Sequence, residues 1–291
     1  MSMTALVDKT RTLLEMIKFS HTIFAFPFAL MGVVLASLAS GAAPGIGQIF
    51  WICLAMVGAR SGAMGLNRII DARIDKENPR TAERHIPAGK ISRTEAWLFV
   101  AVSFAALLLA AWMLNPLCFY LAPVAFFFFV LYAYCKRFTA LAHVVLGICL
   151  AAAPIGAWIA LRGDIGWQVV ILGLAVLFWV AGFDIFYALQ DLEYDREKGL
   201  HSIPSRLGVE RSLLLVRAFH GMMVFLLLLL LVGTGLGWIY FLGVVAVSGM
   251  LVYEHRLVKP DDLSRLDAAF FNMNGYISVT IFAFTLLDAL V

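Results

Sequence analysis

The sequence predicts an all-α integral membrane bundle of nine transmembrane helices. Three observations carry that prediction. Of the 291 residues, 62% are hydrophobic and only 14% charged, with a mean hydropathy of +0.91; a soluble domain carries about a quarter charged residues. Apolar runs long enough to cross a bilayer, which takes about 20 residues, recur along the whole chain. Tryptophan and tyrosine gather near the ends of those runs, as at Trp51, Trp97, Trp112, Trp158, Trp167, Trp238, Tyr240 and Tyr253, the placement favoured at membrane–water interfaces.

The nine spans fall at about 17–39, 48–68, 94–114, 116–134, 139–160, 166–187, 212–233, 235–254 and 268–290. Residues 1–16 mix Asp8, Lys9, Arg11 and Glu15 with Leu6, Val7, Leu13 and Leu14, which reads as an amphipathic helix on the membrane surface. Pro27, Pro123 and Pro154 lie within spans, where neighbouring helices satisfy the freed carbonyls. The whole of 1–291 reads as one transmembrane domain, with 69–93 and 188–211 as cap loops.

Connections after odd-numbered spans are short and nearly uncharged; those after even-numbered spans are polar. Of the 22 lysines and arginines, all but Arg162 fall in the amino-terminal segment, in the even loops or at span ends facing them. The positive-inside rule places these loops and the amino terminus in the cytoplasm and the carboxyl terminus outside, in an inner (cytoplasmic) membrane. The cysteines, Cys53, Cys118, Cys135 and Cys149, form no CxxC pair and read as small buried hydrophobes.

The two long cytoplasmic loops also hold most of the acids, which orientation alone does not require. Asn67, Asp71 and Asp75 are spaced i, i+4, i+8, so a helix sets their oxygens on one face; Arg60 shares that face. Asp184, Tyr187, Asp191 and Asp195 form a second stripe. Crowded carboxylates repel and call for a compensating cation. Magnesium takes oxygen ligands, commonly one or two carboxylates plus substrate phosphates. Two such faces opposed across a cavity could hold ions bridging to a diphosphate, with Lys18, Arg68, Arg73, Arg80, Arg84 and Lys198 as cations for the remaining phosphate oxygens. The plainer alternative is a pair of solvated helix ends; the same oxygen spacing on spans two and six argues against it. His85 and His201 could contact an anion or be merely solvated. Motif-bearing spans four apart hint at a duplicated four-helix unit.

At these residues the chain resembles the UbiA superfamily of intramembrane prenyltransferases over nearly its full length. Asn67-x-x-x-Asp71-x-x-x-Asp75 is similar to the family's first metal motif, Asp191-x-x-x-Asp195, preceded by Asp184 and Tyr187, to its second, and Arg80-Thr81-x-x-Arg84-x-x-Pro87-x-Gly89 to its loop. The resemblance implies a UbiA-like bundle of nine helices around a central cavity, with Mg2+ held together with a diphosphate by Asn67, Asp71, Asp75, Asp191 and Asp195. Lys18, Arg68, Arg80, Arg84 and Lys198 would assist binding, and Asp191, Asp184 and Tyr187 would act on the acceptor or the developing cation. It implies a polyprenyl diphosphate donor, an aromatic hydroxy-acid acceptor and a setting in membrane lipid, with no nucleic acid. The donor's chain would run into a tunnel lined by residues such as Phe126 to Phe129. His85, His201 and the Lys18–Pro27 segment differ from the 4-hydroxybenzoate enzymes. They resemble a branch whose members are thought to prenylate 1,4-dihydroxy-6-naphthoate in menaquinone synthesis.

Two other classes fit less well. A transporter would place its acids near mid-span, whereas these lie at the cytoplasmic ends. A CDP-alcohol phosphotransferase would need an Asp-Gly-x-x-Ala-Arg start, which the sequence lacks.

Overall fold

A computed structural model describes residues 3–18, 24–260, 262–263, 266 and 273–291. Its helices are α1 (Met3–Met16), α2 (Phe26–Ser40), α3 (Ile46–Glu77), α4 (Arg93–Leu114), α5 (Pro116–Cys135), α6 (Ala142–Arg162), α7 (Trp167–Ala188), a 3-10 turn (Leu189–Asp191), α8 (Leu192–Glu197), α9 (Ile203–Leu229), α10 (Trp238–Leu257) and α11 (Asn274–Leu290). Among the described residues seven helices are long and apolar enough to cross a membrane, and α2 and α11 are shorter apolar helices. The starts predicted for the first and ninth spans fall partly in 19–23 and 268–272, outside the described residues.

Large apolar side chains such as Leu98, Trp112, Phe127, Leu214 and Phe225 are exposed on the outside, the arrangement of a surface that meets lipid rather than water. Inside, Trp179 is fully buried, with its ring 4.9 Å from Phe28 and 5.0 Å from Phe183. Around it Trp158 of α6, Met223 of α9, Tyr240 of α10 and Ile277 of α11 complete the main core.

With lipid on one side, helix association depends on close contact rather than on apolarity, and glycines supply it. A Cβ on Gly32 of α2 would lie 2.4 Å from the Pro154 carbonyl oxygen of α6; one on Gly58 of α3 would lie 2.6 Å from that of Ser103 in α4; one on Gly147 of α6 would lie 2.6 Å from that of Leu177 in α7. The helix pairs repeat with an offset of four spans: α3 packs on α4 as α7 does on α9, and α5 packs on α6 as α10 does on α11. This agrees with a duplicated unit whose motif helices are α3 and α7.

Three sequence expectations change. Helix α3 has 32 residues, about 48 Å at 1.5 Å per residue, well beyond a ~30 Å hydrocarbon core. Asp71 and Asp75 therefore ride on helix rather than loop, and the first cap connection shrinks to 78–92. The second cap is also largely helical: it holds the 3-10 turn and α8, and α9 begins at Ile203, with Ser202 capping it by accepting from the Ser205 N–H. Finally, the end of α1 rests on protein. Leu13, Met16 and Ile17 pack with Leu66, Ile69, Ile91 and Val100 of the α3–α4 end, and Lys9 Nζ lies 2.6 Å from Glu95.

Candidate active site

One end of the bundle encloses a cavity of ≈ 250 Å³. Asn67, Asp71 and Asp75 from α3 and Asp184, Tyr187, Asp191 and Asp195 from α7, the 3-10 turn and α8 all line it, together with Lys18, Arg60, Arg68, Arg80 and Arg84. Two oxygen-rich patches separated by 120 positions in sequence thus share one hollow.

On α3 the i, i+4 spacing acts as the sequence predicts: Asn67 Nδ2 donates to Asp71 Oδ2 at 3.1 Å. Lys136 Nζ lies 2.7 Å from the same oxygen, and Arg137 Nη2 lies 3.0 Å from Asp71 Oδ1. Asp75 Oδ1 accepts from Arg84 at 2.7 Å, while Thr81 Oγ1 donates to the Asp75 carbonyl at 3.0 Å, folding the cap back over the helix end.

The second patch differs from expectation in its backbone. Helix α7 stops at Ala188, where the Leu189 N–H is shared among the carbonyls of Ile185, Phe186 and Tyr187, and the chain tightens into the 3-10 turn. Asp184, Tyr187, Asp191 and Asp195 therefore do not form one continuous helical stripe; three successive segments carry them to the same cavity. Tyr194 Oη donates to the Ile74 carbonyl at 2.9 Å and ties α8 to α3.

The cap bridges the two patches. Arg80 Nε donates to Asp191 Oδ1 at 2.8 Å, Nη2 donates to Oδ2, and Nη1 donates to Tyr187 Oη at 2.6 Å. Asn78 Nδ2 donates to Asp191 Oδ1 at 2.9 Å. Burial works against the Arg80 charge, but its hydrogen bonds to Asp191 outweigh that and hold its pKa above the usual arginine value. One turn before Tyr187 on α7, Asp184 Oδ2 lies 2.7 Å from His143 Nδ1.

Not every predicted cation joins the site. Lys198 does not line the cavity; it is exposed and pairs with Glu77 at 3.0 Å. Arg73 points to solvent with a side chain 90% exposed. His85 does not line the cavity; it lies 4.0 Å from Glu15, and burial and then Lys90 push its pKa down, whereas His201 lines the cavity. Arg68 is buried and donates to the Met16 carbonyl at 3.4 Å. Lys18, in the left-handed region at φ 47°, turns its carbonyl to Arg60 Nη2 at 3.4 Å. Nor do Phe126–Phe129 line the hollow: Phe126 and Phe129 pack on Phe104, and Phe127 faces outward. The apolar lining is instead Phe24, Met64, Leu146, Leu150 and Phe183.

Sequence reasoning missed Asn78, Lys136 and His143. Lys136 and Arg137 end a span and read as orientation charges; Asn78 precedes a proline and reads as a turn. His143 lies inside an apolar run and gives no signal by itself.

A divalent cation fits the donors present. Asp71 Oδ1 and Asp75 Oδ2 are buried with no hydrogen-bond partner, although Asp71 Oδ1 has Arg137 nearby; buried acceptors are rarely left so. Among the described residues no three His, Cys, Asp or Glu side chains cluster closely enough to hold an ion alone.

A multi-pass helical bundle with carboxylates and guanidinium groups gathered round one end-cavity is built as a membrane-embedded enzyme. The UbiA prenyltransferase family matches residues 25–276, and the chain belongs to that family; it is a multi-pass membrane prenyltransferase. Among its relatives is the 4-hydroxybenzoate octaprenyltransferase of Cupriavidus metallidurans, 33% identical over 253 residues, which are 85% of this chain and 84% of the relative. The enzyme of the same name from Francisella tularensis subsp. novicida is 31% identical over 248 residues, 84% of this chain and 86% of that one. The apo structure of a UbiA homologue from Aeropyrum pernix K1 superposes with a TM-score of 0.83 at 31% identity, covering 92% of this chain and 98% of that one. A UbiA homologue from Archaeoglobus fulgidus, solved bound to GPP and Mg2+, shares the fold at a TM-score of 0.69 and 18% identity, over 96% of this chain and 100% of that one.

Proposed function

We propose that this protein transfers a polyprenyl chain from its diphosphate to an aromatic hydroxy acid, with Mg2+, at the cytoplasmic face of the inner membrane. The observation that carries the reading is the convergence of Asp71, Asp75, Asp191 and Asp195 on one cavity with Arg80, Arg84 and Lys136. The names of the relatives support an aromatic acid acceptor of the 4-hydroxybenzoate type, and the ligands of the Archaeoglobus homologue support an allylic diphosphate with Mg2+.

Asn67, Asp71, Asp75, Asp191 and Asp195 would hold the metal. Bound there, it supplies Lewis acidity to the departing diphosphate. Arg80, Arg84 and Lys136, each paired with a carboxylate, turn to phosphate oxygens when the diphosphate enters. Preorganised cations of this kind stabilise the charge that grows there as the allylic C–O bond breaks. The bonding pair leaves with the diphosphate. The ring carbon beside the acceptor hydroxyl bonds to the allylic carbon, and a carboxylate, Asp184 or Asp191, receives the proton released. The isoprenoid chain runs along Phe24, Leu146, Leu150 and Phe183. These apolar walls exclude water that would quench the cation.

The test is a transfer assay with purified protein, geranyl or farnesyl diphosphate and a panel of phenolic acids, with and without EDTA. Prenylated 4-hydroxybenzoate, lost with EDTA and regained with Mg2+, is the expected result. Product with 1,4-dihydroxy-6-naphthoate alone would move the acceptor to the menaquinone branch that the residues around His85 and His201 resemble. No prenylated product with any phenolic acid would overturn the reading.

A further inference from the structure

Four of the cavity carboxylates are held in two different ways. Asp71, Asp75 and Asp191 each face a lysine or arginine at ion-pair distance. Asp184 instead meets an imidazole: His143 Nδ1 is 2.7 Å from its Oδ2. His143 is only 3% exposed, and its other nitrogen is spoken for. The backbone N–H of Ile203, in the first turn of α9, points at His143 Nε2 from 3.3 Å. A backbone N–H only donates, so Nε2 must keep its lone pair. The ring proton therefore sits on Nδ1 and is donated to Asp184. An imidazolium would set N–H against N–H at Ile203.

From this geometry we infer that His143 is a positioning residue, held as the neutral Nδ1–H tautomer by the start of α9, which fixes Asp184 as the carboxylate that receives the acceptor's proton. The inference rests on the function proposed above. It also chooses between the two candidate bases. Asp191 is already among the carboxylates that would hold the metal, and it accepts from Asn78; Asp184 carries neither duty. A neutral donor on Oδ2 orients Asp184 without cancelling its charge, and leaves Oδ1 to face the acceptor.

The relation makes a double-mutant cycle decisive. In the full-length protein, His143→Leu and Asp184→Asn each lower kcat for the phenolic acid by about 10²-fold, with the KM for the allylic diphosphate within about twofold. His143→Leu adds nothing further in the Asp184→Asn background. His143→Gln, whose amide can both donate to Asp184 and accept from Ile203 but cannot titrate, recovers most of the lost turnover. Multiplicative losses in the double variant would refute the coupling. A His143→Gln variant as slow as His143→Leu, yet with an unchanged melting temperature, would show that the imidazole itself moves a proton. Either result, with transfer by the unaltered protein intact, overturns the role of His143 alone; absence of that transfer overturns the underlying function instead.

Discussion

Lys136 Nζ lies 2.7 Å from Asp71 Oδ2, joining the end of α5 to the first carboxylate of α3. The same oxygen accepts from Asn67, and Arg137 stands by the other, so Asp71 is the hub of the first patch. Asp71→Ala is expected to lower transfer by about 10²–10³-fold while the protein still inserts and elutes as a single species. Lys136→Gln should act differently, raising the KM for the allylic diphosphate with little change in that for the acceptor. Steady-state kinetics on both substrates separates the two.

Arg80 grips Asp191 and Tyr187 together, with its guanidinium carbon 4.8 Å from the centre of the tyrosine ring. A lysine cannot reproduce that fork. Arg80→Lys should cost about 2 kcal/mol of transition-state stabilisation, roughly 30-fold in kcat/KM. A variant within twofold of the parent would show that only the charge matters.

Ligand binding should be visible in stability. Asp71, Asp75 and Asp191 line one cavity, and Mg2+ with inorganic pyrophosphate would give partners to the buried oxygens of Asp71 and Asp75 that lack a hydrogen bond. The melting temperature in detergent should rise with both together and far less with either alone. By linkage the gain is about 2.7 kcal/mol at a hundredfold excess over the dissociation constant. The gain should vanish in Asp191→Ala.

Helix contact should be as sensitive as the chemistry. Gly32→Ala places a methyl 2.4 Å from the Pro154 carbonyl oxygen and must part α2 from α6. The expected cost is about 1–3 kcal/mol, read as a lower melting temperature and a smaller folded yield. Gly156→Ala is the control, because nothing lies within 4 Å of its added carbon.

Glu254 of α10 is fully buried, 3.8 Å from His220 Nδ1, and accepts from Asn274 Nδ2 at 3.5 Å. It does not line the cavity. Glu254→Gln keeps the shape and hydrogen-bonding capacity and should leave stability within about 1 kcal/mol. Glu254→Ala leaves a void and unpaired neighbours and should cost about 2–4 kcal/mol. Thermal melts decide this, and kcat of the folded fraction should be the same in both variants.

The parts of this structure that were legible in the sequence are those that a single uninterrupted element transmits. Asn67, Asp71 and Asp75 lie on one helix, so spacing alone placed them on one face. Asp184 to Asp195 were legible as neighbours but not as a shape, because the break at Leu189–Asp191 has no glycine or proline to announce it. His143 was invisible because its importance comes from partners 41 and 60 positions away. The inward or outward sense of Phe126–Phe129 was equally hidden: bilayer and protein interior are both apolar, and hydropathy does not tell them apart. The same ambiguity affects Lys136, which serves topology and site with one charge.

Helix α7 presents Asp184 and Tyr187 to the cavity while Ile185 and Phe186, between them, are wholly buried on its other side. Little of that helix is free to vary. Laboratory evolution towards donors of other chain lengths should therefore find few tolerated changes there and many more at Phe24, Leu146 and Leu150, which border the hollow without carrying its charges. Libraries aimed at Phe24, just before α2, and at α6 offer the route to altered selectivity with the bond-forming apparatus left whole.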